Sequence, residues 1–268
     1  MLTSSAFLLP SVPTMLIDEQ RGDVTEMIEA LEATGARVAE EAPAVVVVVS
    51  PRWVSAGVFH TDDSRQLRSV VDVPGFGVEP RFDCPGSPAL ARAIVEHAAR
   101  RGVRAATAHR GVDTAVSVPM PFFTRGRRPV VVPLSITEGS TAEHRAWGEA
   151  IRFALDAWHE RVVFAVTGAL SWHLHAFNLR REVPECGELD SKVLTALEHA
   201  DWDSLEGIVS RLGERAHPEA SLRHLEVMRG FLGTGAAAGH LIEREQLPGI
   251  GTALVEFPLD SDGGGAGR

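Results

Sequence analysis

The chain carries 11 histidines and 36 aspartates and glutamates, and three short clusters bring these groups close in sequence. His60-Thr-Asp62-Asp63 offers an imidazole and two carboxylates on a loop. His173-x-His175 sets two imidazoles at strand spacing. His217-x-Glu219, followed by His224, gathers two imidazoles around a carboxylate. Neutral imidazole and carboxylate are ordinary ligands of divalent transition metals. An imidazole titrating near neutral pH is also the commonest proton carrier. None of the three clusters has a specific ligand spacing such as His-Glu-x-x-His. The plainer alternative for each is a solvated loop histidine or a hydrogen-bonded core histidine, and no metal is assigned. Trp53 and Trp172 also have two readings: indoles that stack on a planar ligand, or bulk that fills a pocket.

Other signatures are missing from the sequence. It has no P-loop, no Gly-x-Gly-x-x-Gly after a strand, no Cys-x-x-Cys and no Gly-x-Ser-x-Gly elbow. The glycine- and alanine-rich residues 230–239 follow a helix and read as a turn. Cys84 and Cys186 allow one disulfide at most and no disulfide framework. A formal net charge of −10 is spread over 268 residues, which argues against a nucleic-acid surface. The one basic cluster, Arg125-Gly-Arg-Arg128, reads as a solvated loop. The first ten residues lack a basic n-region and a long apolar run. No apolar stretch approaches the ~20 residues of a membrane helix. The expectation is a cytoplasmic protein without membrane or nucleic-acid partners.

These side chains must be held by strands and helices that the pattern also indicates. Residues 6–9 read as a short buried strand ended by Pro10 and Pro13. Asp23 is the expected N-cap of a helix with Val24, Met27, Ile28 and Leu31 on its apolar face, stopped by Gly35. Residues 45–49 are five valines without polar alternation, so they belong in a sheet covered on both faces. Residues 66–73 read as a strand closed by Pro74-Gly75. Ser87 and Pro88 open a helix that Gly102 ends. Residues 103–107, 129–134, 162–166 and 252–257 read as further strands. Ser140 and Glu143 form a capping box for a helix to about Trp158. Residues 190–231 read as two or three helices, broken near residues 201–203 and at His217-Pro218. Strands alternating with helices predict an α/β fold: one domain over residues 1–260 with a central, largely buried mixed β-sheet flanked by helices. Residues 261–268 are expected to be a disordered tail.

Four stretches in order resemble the landmarks of the class III extradiol ring-cleavage dioxygenases, of the protocatechuate 4,5-dioxygenase β-subunit type. They are Phe7-Leu-Leu-Pro-Ser-Val-Pro13, residues 45–49 running into Ser50-Pro-Arg-Trp53, Gly111-Val-Asp-Thr-Ala115, and Thr167-Gly-Ala-Leu-Ser-Trp-His-Leu174. Phe82-Asp-Cys-Pro-Gly-Ser-Pro-Ala-Leu-Ala91, Val118-Pro-Met120 and residues 129–136 are similar to further family segments. The resemblance implies non-haem Fe(II) held by two histidines and one carboxylate, with open positions for a catechol and O2.

This chain departs from that pattern where the chemistry resides. The resemblance sets Ser11 and Arg52 in the positions of the two histidine ligands. It sets the carboxylate ligand ahead of Arg229-Gly230, at or near Ser221, with Glu219 the nearby carboxylate. Thr114, after Asp113, stands for the acid/base histidine, and Trp172 for the second pocket histidine, with His173 one residue later. A serine hydroxyl is a poor iron ligand at neutral pH. Arginine has no lone pair to offer and carries a fixed positive charge, so it would substitute for a dication by charge and pair with a carboxylate.

The leading expectation is a family member without Fe(II) or ring-cleavage activity, needing no cofactor and acting as a non-catalytic or regulatory subunit. Its partner would be a homologous catalytic subunit, as the family resemblance suggests through 2-aminophenol 1,6-dioxygenase, or a second copy in a homo-oligomer. One alternative is an active enzyme, Fe(II)-dependent or altered, on a catechol or aminophenol, with His60, His173, Glu219 and His224 as relocated groups. Another is a protein that binds an aromatic small molecule, with Trp53, Asp113 and Trp172 lining its pocket.

Overall fold

Five consecutive valines need apolar cover on both faces, and Val45 to Val49 have it: each is at most 4% exposed. Burying one such side chain contributes about 2 kcal/mol, so this strand anchors the sheet. The structure, a computed structural model, describes residues 1–70, 76 and 82–259. Its strands are β1 (Ser5–Leu9), β2 (Val45–Ser55), β3 (Phe59–Asp62), β4 (Gln66–Leu67), β5 (Cys84–Pro85), β6 (Ala105–Ala108), β7 (Val130–Thr137), β8 (Val162–Thr167), β9 (His240–Leu247) and β10 (Ile250–Pro258). Its helices are α1 (Thr14–Arg21), α2 (Glu26–Glu40), α3 (Pro88–Arg100), α4 (Thr114–Ser117), α5 (Met120–Phe123), α6 (Thr141–Asp156), α7 (Leu174–Asn178), α8 (Pro184–Glu198), α9 (Ser204–Ala216) and α10 (Arg223–Leu232).

Eight strands form one mixed sheet in the order β6-β3-β7-β2-β8-β1-β10-β9. The central strands β7, β2, β8 and β1 run parallel, while β3 joins β7, and β10 joins β1 and β9, in antiparallel fashion. Alternation sends successive side chains to opposite faces. Val45, Val47 and Val49 share one buried core with Leu90, Ile94, Trp147, Leu189 and Leu225. Val46 and Val48 belong to the core on the other face, with Met15, Leu31, Val116 and Phe123. Helices α3, α6, α8, α9 and α10 therefore cover one face, and α1, α2, α4 and α5 the other. The carboxyl ends of β1, β2 and β8 open at one edge, where parallel sheets of this kind place their ligand crevices.

Several expected elements fall elsewhere for local reasons. A short helix, α1, follows Pro13, and Gly22 caps it at φ 77°. Thr25, not Asp23, caps α2, accepting from Ile28 N at 3.3 Å, and Val24 is 67% exposed. Gly35 does not stop α2, which continues to Glu40. A Cβ there would lie 1.8 Å from Phe123 O, so the glycine serves the close approach of α5. The strand expected at 66–73 pairs only at Gln66–Leu67, and residues 71–73 with Pro74-Gly75 lie outside the described residues, as does the tail 261–268. Strands β3 and β9 escaped the sequence pattern, β9 because five polar positions, His240 and residues 243–246, leave it no apolar alternation. Helix α8 begins at Pro184 rather than at Asp190. No described helix is long and apolar enough to cross a membrane.

Candidate functional site

The side chain of Arg52 is the centre of the crevice. Strand β2 changes register between Val49 and Val54, and such an irregularity re-aims side chains. Arg52 consequently points across the strand ends and its side chain is only 7% exposed. Its Nε donates to Glu219 Oε1 at 3.0 Å and its Nη1 to Thr114 Oγ1 at 2.7 Å. Its Nη2 makes longer contacts to Ser11 O at 3.3 Å and Ser11 Oγ at 3.5 Å. The guanidinium carbon lies 4.4 Å from the Trp172 ring centroid, a cation–π distance. The fold thus brings Ser11, Arg52, Thr114, Trp172 and Glu219 together, from the ends of β1, β2 and β8, the start of α4 and the turn before α10.

Neighbouring groups fix this arrangement. Ser50 Oγ lies 2.7 and 2.9 Å from the two Asp113 carboxylate oxygens and accepts from Arg52 N at 3.1 Å. Asp113 also caps α4, accepting from Ala115 N at 3.1 Å, which sets Thr114 in place. Arg110 pairs with Asp113 at 3.4 Å and donates to Arg52 O at 3.2 Å. Glu219 is 5% exposed, and its second oxygen accepts from Ala169 N. Gly168, at φ +146°, leaves room for that carboxylate. A Cβ there would sit 3.1 Å from Glu219 Oε2 and Pro51 Cγ, and 3.2 Å from His224 Nε2.

Glu219 is presented by an unusual turn. Ala220, Ser221 and Leu222 have φ of 49°, 54° and 57°, and His217 has φ 50°. Left-handed backbone costs a non-glycine residue about 1–2 kcal/mol. The segment is pinned by backbone bonds from Glu219 N to Leu170 O at 3.0 Å and from Trp172 N to His217 O at 2.8 Å.

The histidines do not gather around Arg52. His60 stacks on Trp53 with 6.1 Å between ring centroids, and its Nδ1 is buried without a hydrogen-bond partner. His173 caps α7, accepting from Ala176 N at 3.3 Å, and its ring lies 4.2 Å from that of His217 and 6.5 Å from that of His175. Burial, then the nearby His217, holds His173 below the usual imidazole range. His224 is fully buried, and neither ring nitrogen has a hydrogen-bond partner. Burial first, then His144, holds it down to about 3, so it is neutral at neutral pH. Among the described residues no group of three or more His, Cys, Asp or Glu is placed to hold a metal ion.

The tryptophans differ. Trp53 is 7% exposed, enclosed by His60 and by Arg110, whose guanidinium carbon is 5.5 Å from its ring. Trp172 covers Arg52 and stacks on Phe76 at 6.2 Å. It also lines an open cavity of about 430 Å³ with His217, Pro218, Glu219 and Ser221. Sequence reasoning missed the Ala169 amide, which carries no side-chain signal, and the left-handed turn, whose residues are not the usual left-handed types.

Residues 5–255 match the family model described as the catalytic LigB subunit of aromatic ring-opening dioxygenase. Among solved structures, the chain is similar to an uncharacterized protein, JW3007, from Escherichia coli K12. That similarity has a TM-score of 0.72 and 16% sequence identity, covering 95% of this chain and 100% of that one. At such identity it speaks for the fold alone. No curated protein matches the chain.

The donor set does not fit the Fe(II) that the resemblance implies. Of Ser11, Arg52 and Glu219, only Glu219 is a good ligand for a ferrous ion. Its two oxygens are engaged by Arg52 and by the Ala169 amide. A guanidinium adds a positive charge where a cation would need lone pairs.

Proposed function

The chain belongs to the family of the catalytic LigB subunit of aromatic ring-opening dioxygenase, and we propose that within it this member performs no iron-dependent ring cleavage. It acts instead as a cytoplasmic, non-catalytic or regulatory subunit, paired with a homologous catalytic subunit or with a second copy of itself. The observation that supports this function is the buried Arg52 guanidinium bonded to Glu219, Thr114 and Ser11. General acid–base transfer needs a group that titrates near the working pH; of the groups around Arg52, Thr114, Ser11 and Trp172 supply none, and the Glu219 carboxylate is held on both oxygens by Arg52 and the Ala169 amide. Retaining the scaffold without this chemistry is consistent with a role in assembly.

The test is a ring-cleavage assay on catechol and 2-aminophenol after anaerobic Fe(II) loading. It is run with the chain alone and with a co-expressed homologous catalytic subunit. The expected result is no ring-opened product from the chain alone, and co-purification with altered turnover when the homologue is present. Iron-dependent product from the chain alone would overturn the proposal.

A further inference from the structure

We propose that the Arg52 crevice is a carboxylate-binding site whose resident occupant is the chain's own Glu219. The inference rests on the crevice geometry alone and not on the subunit role. Two fixed donors converge on one carboxylate: Arg52 Nε on Oε1 at 3.0 Å and the Ala169 amide on Oε2. Trp172 backs the guanidinium at 4.4 Å. Charge-assisted bonds of this kind are the strong form of carboxylate recognition.

Three features make the occupant replaceable. Glu219 sits on a turn with three successive left-handed non-glycine residues, so its release relieves strain that its bonds now offset. The Nη2 contacts to Ser11, at 3.3 and 3.5 Å, are long and leave that edge of the fork poorly served. The cavity of about 430 Å³ reaches Glu219 and Trp172 from outside and has room for a small ligand. With Glu219 displaced, Arg52 remains as an unneutralised cation beside Trp172. Glu214 at the cavity lining opposes an incoming anion, so the site favours a ligand small enough to reach Arg52 past it. The ligand class is a small organic carboxylate, and Glu219 is its internal competitor.

The experiment is chemical rescue on the full chain. Thermal unfolding of Glu219→Ala is followed against sodium acetate and sodium propionate, with sodium chloride matching ionic strength. The double variant Arg52→Met/Glu219→Ala is the control. The expected result is a midpoint that rises by about 5 °C over the acetate series in Glu219→Ala, with no acetate-specific rise in the double variant. Wild type should respond more weakly, because the tethered Glu219 competes at high effective concentration. If Glu219→Ala does not fold, Glu219→Ser, which also vacates the carboxylate position, is titrated by tryptophan fluorescence. A saturable acetate response there supports the site, and its absence overturns it. Equal responses to acetate and chloride, or the same acetate response without Arg52, would also overturn it.

Discussion

Arg52 and Glu219 come from positions 167 residues apart and meet at 3.0 Å with side chains 7% and 5% exposed. Each is the other's principal counter-charge. In a buried pair, desolvation offsets most of the Coulomb attraction, so the pair adds little net stability, yet breaking it strands a charge.

Removing one partner should therefore cost far more than removing both. Arg52→Met or Glu219→Leu alone is expected to lose about 3–5 kcal/mol. The double variant should recover much of that loss. Urea unfolding of the four proteins measures the coupling. Additive losses would mean that the two groups act independently.

Gly168→Ala probes the space behind the pair. The added methyl meets Pro51, Glu219 and His224 at 3.1–3.2 Å, from a backbone at φ +146°. A loss of about 2–4 kcal/mol is expected from crowding and backbone strain together, read by the same unfolding experiment.

The left-handed turn makes the opposite prediction. Ala220 and Ser221, at φ 49° and 54°, hold conformations that glycine adopts without a Cβ penalty. Ala220→Gly and Ser221→Gly should each be neutral or stabilising by up to about 1 kcal/mol. A loss larger than that would show that the side chains, not the backbone, dictate the turn.

Two buried groups outside the ion pair give pH dependences of opposite sign. Burial pushes Asp190, bonded by Ser171 Oγ at 2.8 Å, up to about 6 from an ordinary 3.8. The folded state then holds a proton that the unfolded state has lost. Stability from this group is present below pH 3.8 and is lost as the pH rises to about 6, by about 3 kcal/mol. Asp190→Asn should remove that slope. His224 is held down to about 3 from an ordinary 6.5, so its contribution is present above pH 6.5 and is lost as the pH falls toward 3. His224→Gln should flatten that acid limb. Unfolding free energies from pH 3 to 8 for the three proteins separate the two effects.

What could be read in advance divides along physical lines. The valines of β2 announce a buried central strand, because β-branched residues without alternation have few other homes. The capping box at Ser140 and Glu143 marks the start of α6. Ser50-Pro-Arg-Trp53 draws attention to Arg52 because a cation stands where the resemblance implies an imidazole. Other features leave no such mark. Ala220, Ser221 and Leu222 carry no left-handed signature, so their turn follows from tertiary bonds to residues 170–172. The Ala169 amide is backbone. Gly35 looks like a helix stop, and only the packing of α5 reveals it as a point of contact. His224 is one histidine among several in the sequence; burial with neither ring nitrogen bonded sets it apart, whereas the equally buried His144 is bonded at both.

The central claim is that the crevice around Arg52 does not hold iron, and elemental analysis tests it most directly. Wild type and the double variant Ser11→His/Arg52→His are loaded anaerobically with Fe(II), desalted, and assayed for iron per chain. The variant offers two imidazoles and the Glu219 carboxylate, a set suited to non-haem Fe(II). The prediction is no retained iron in wild type and a gain of iron in the variant. One iron retained per wild-type chain would contradict the account.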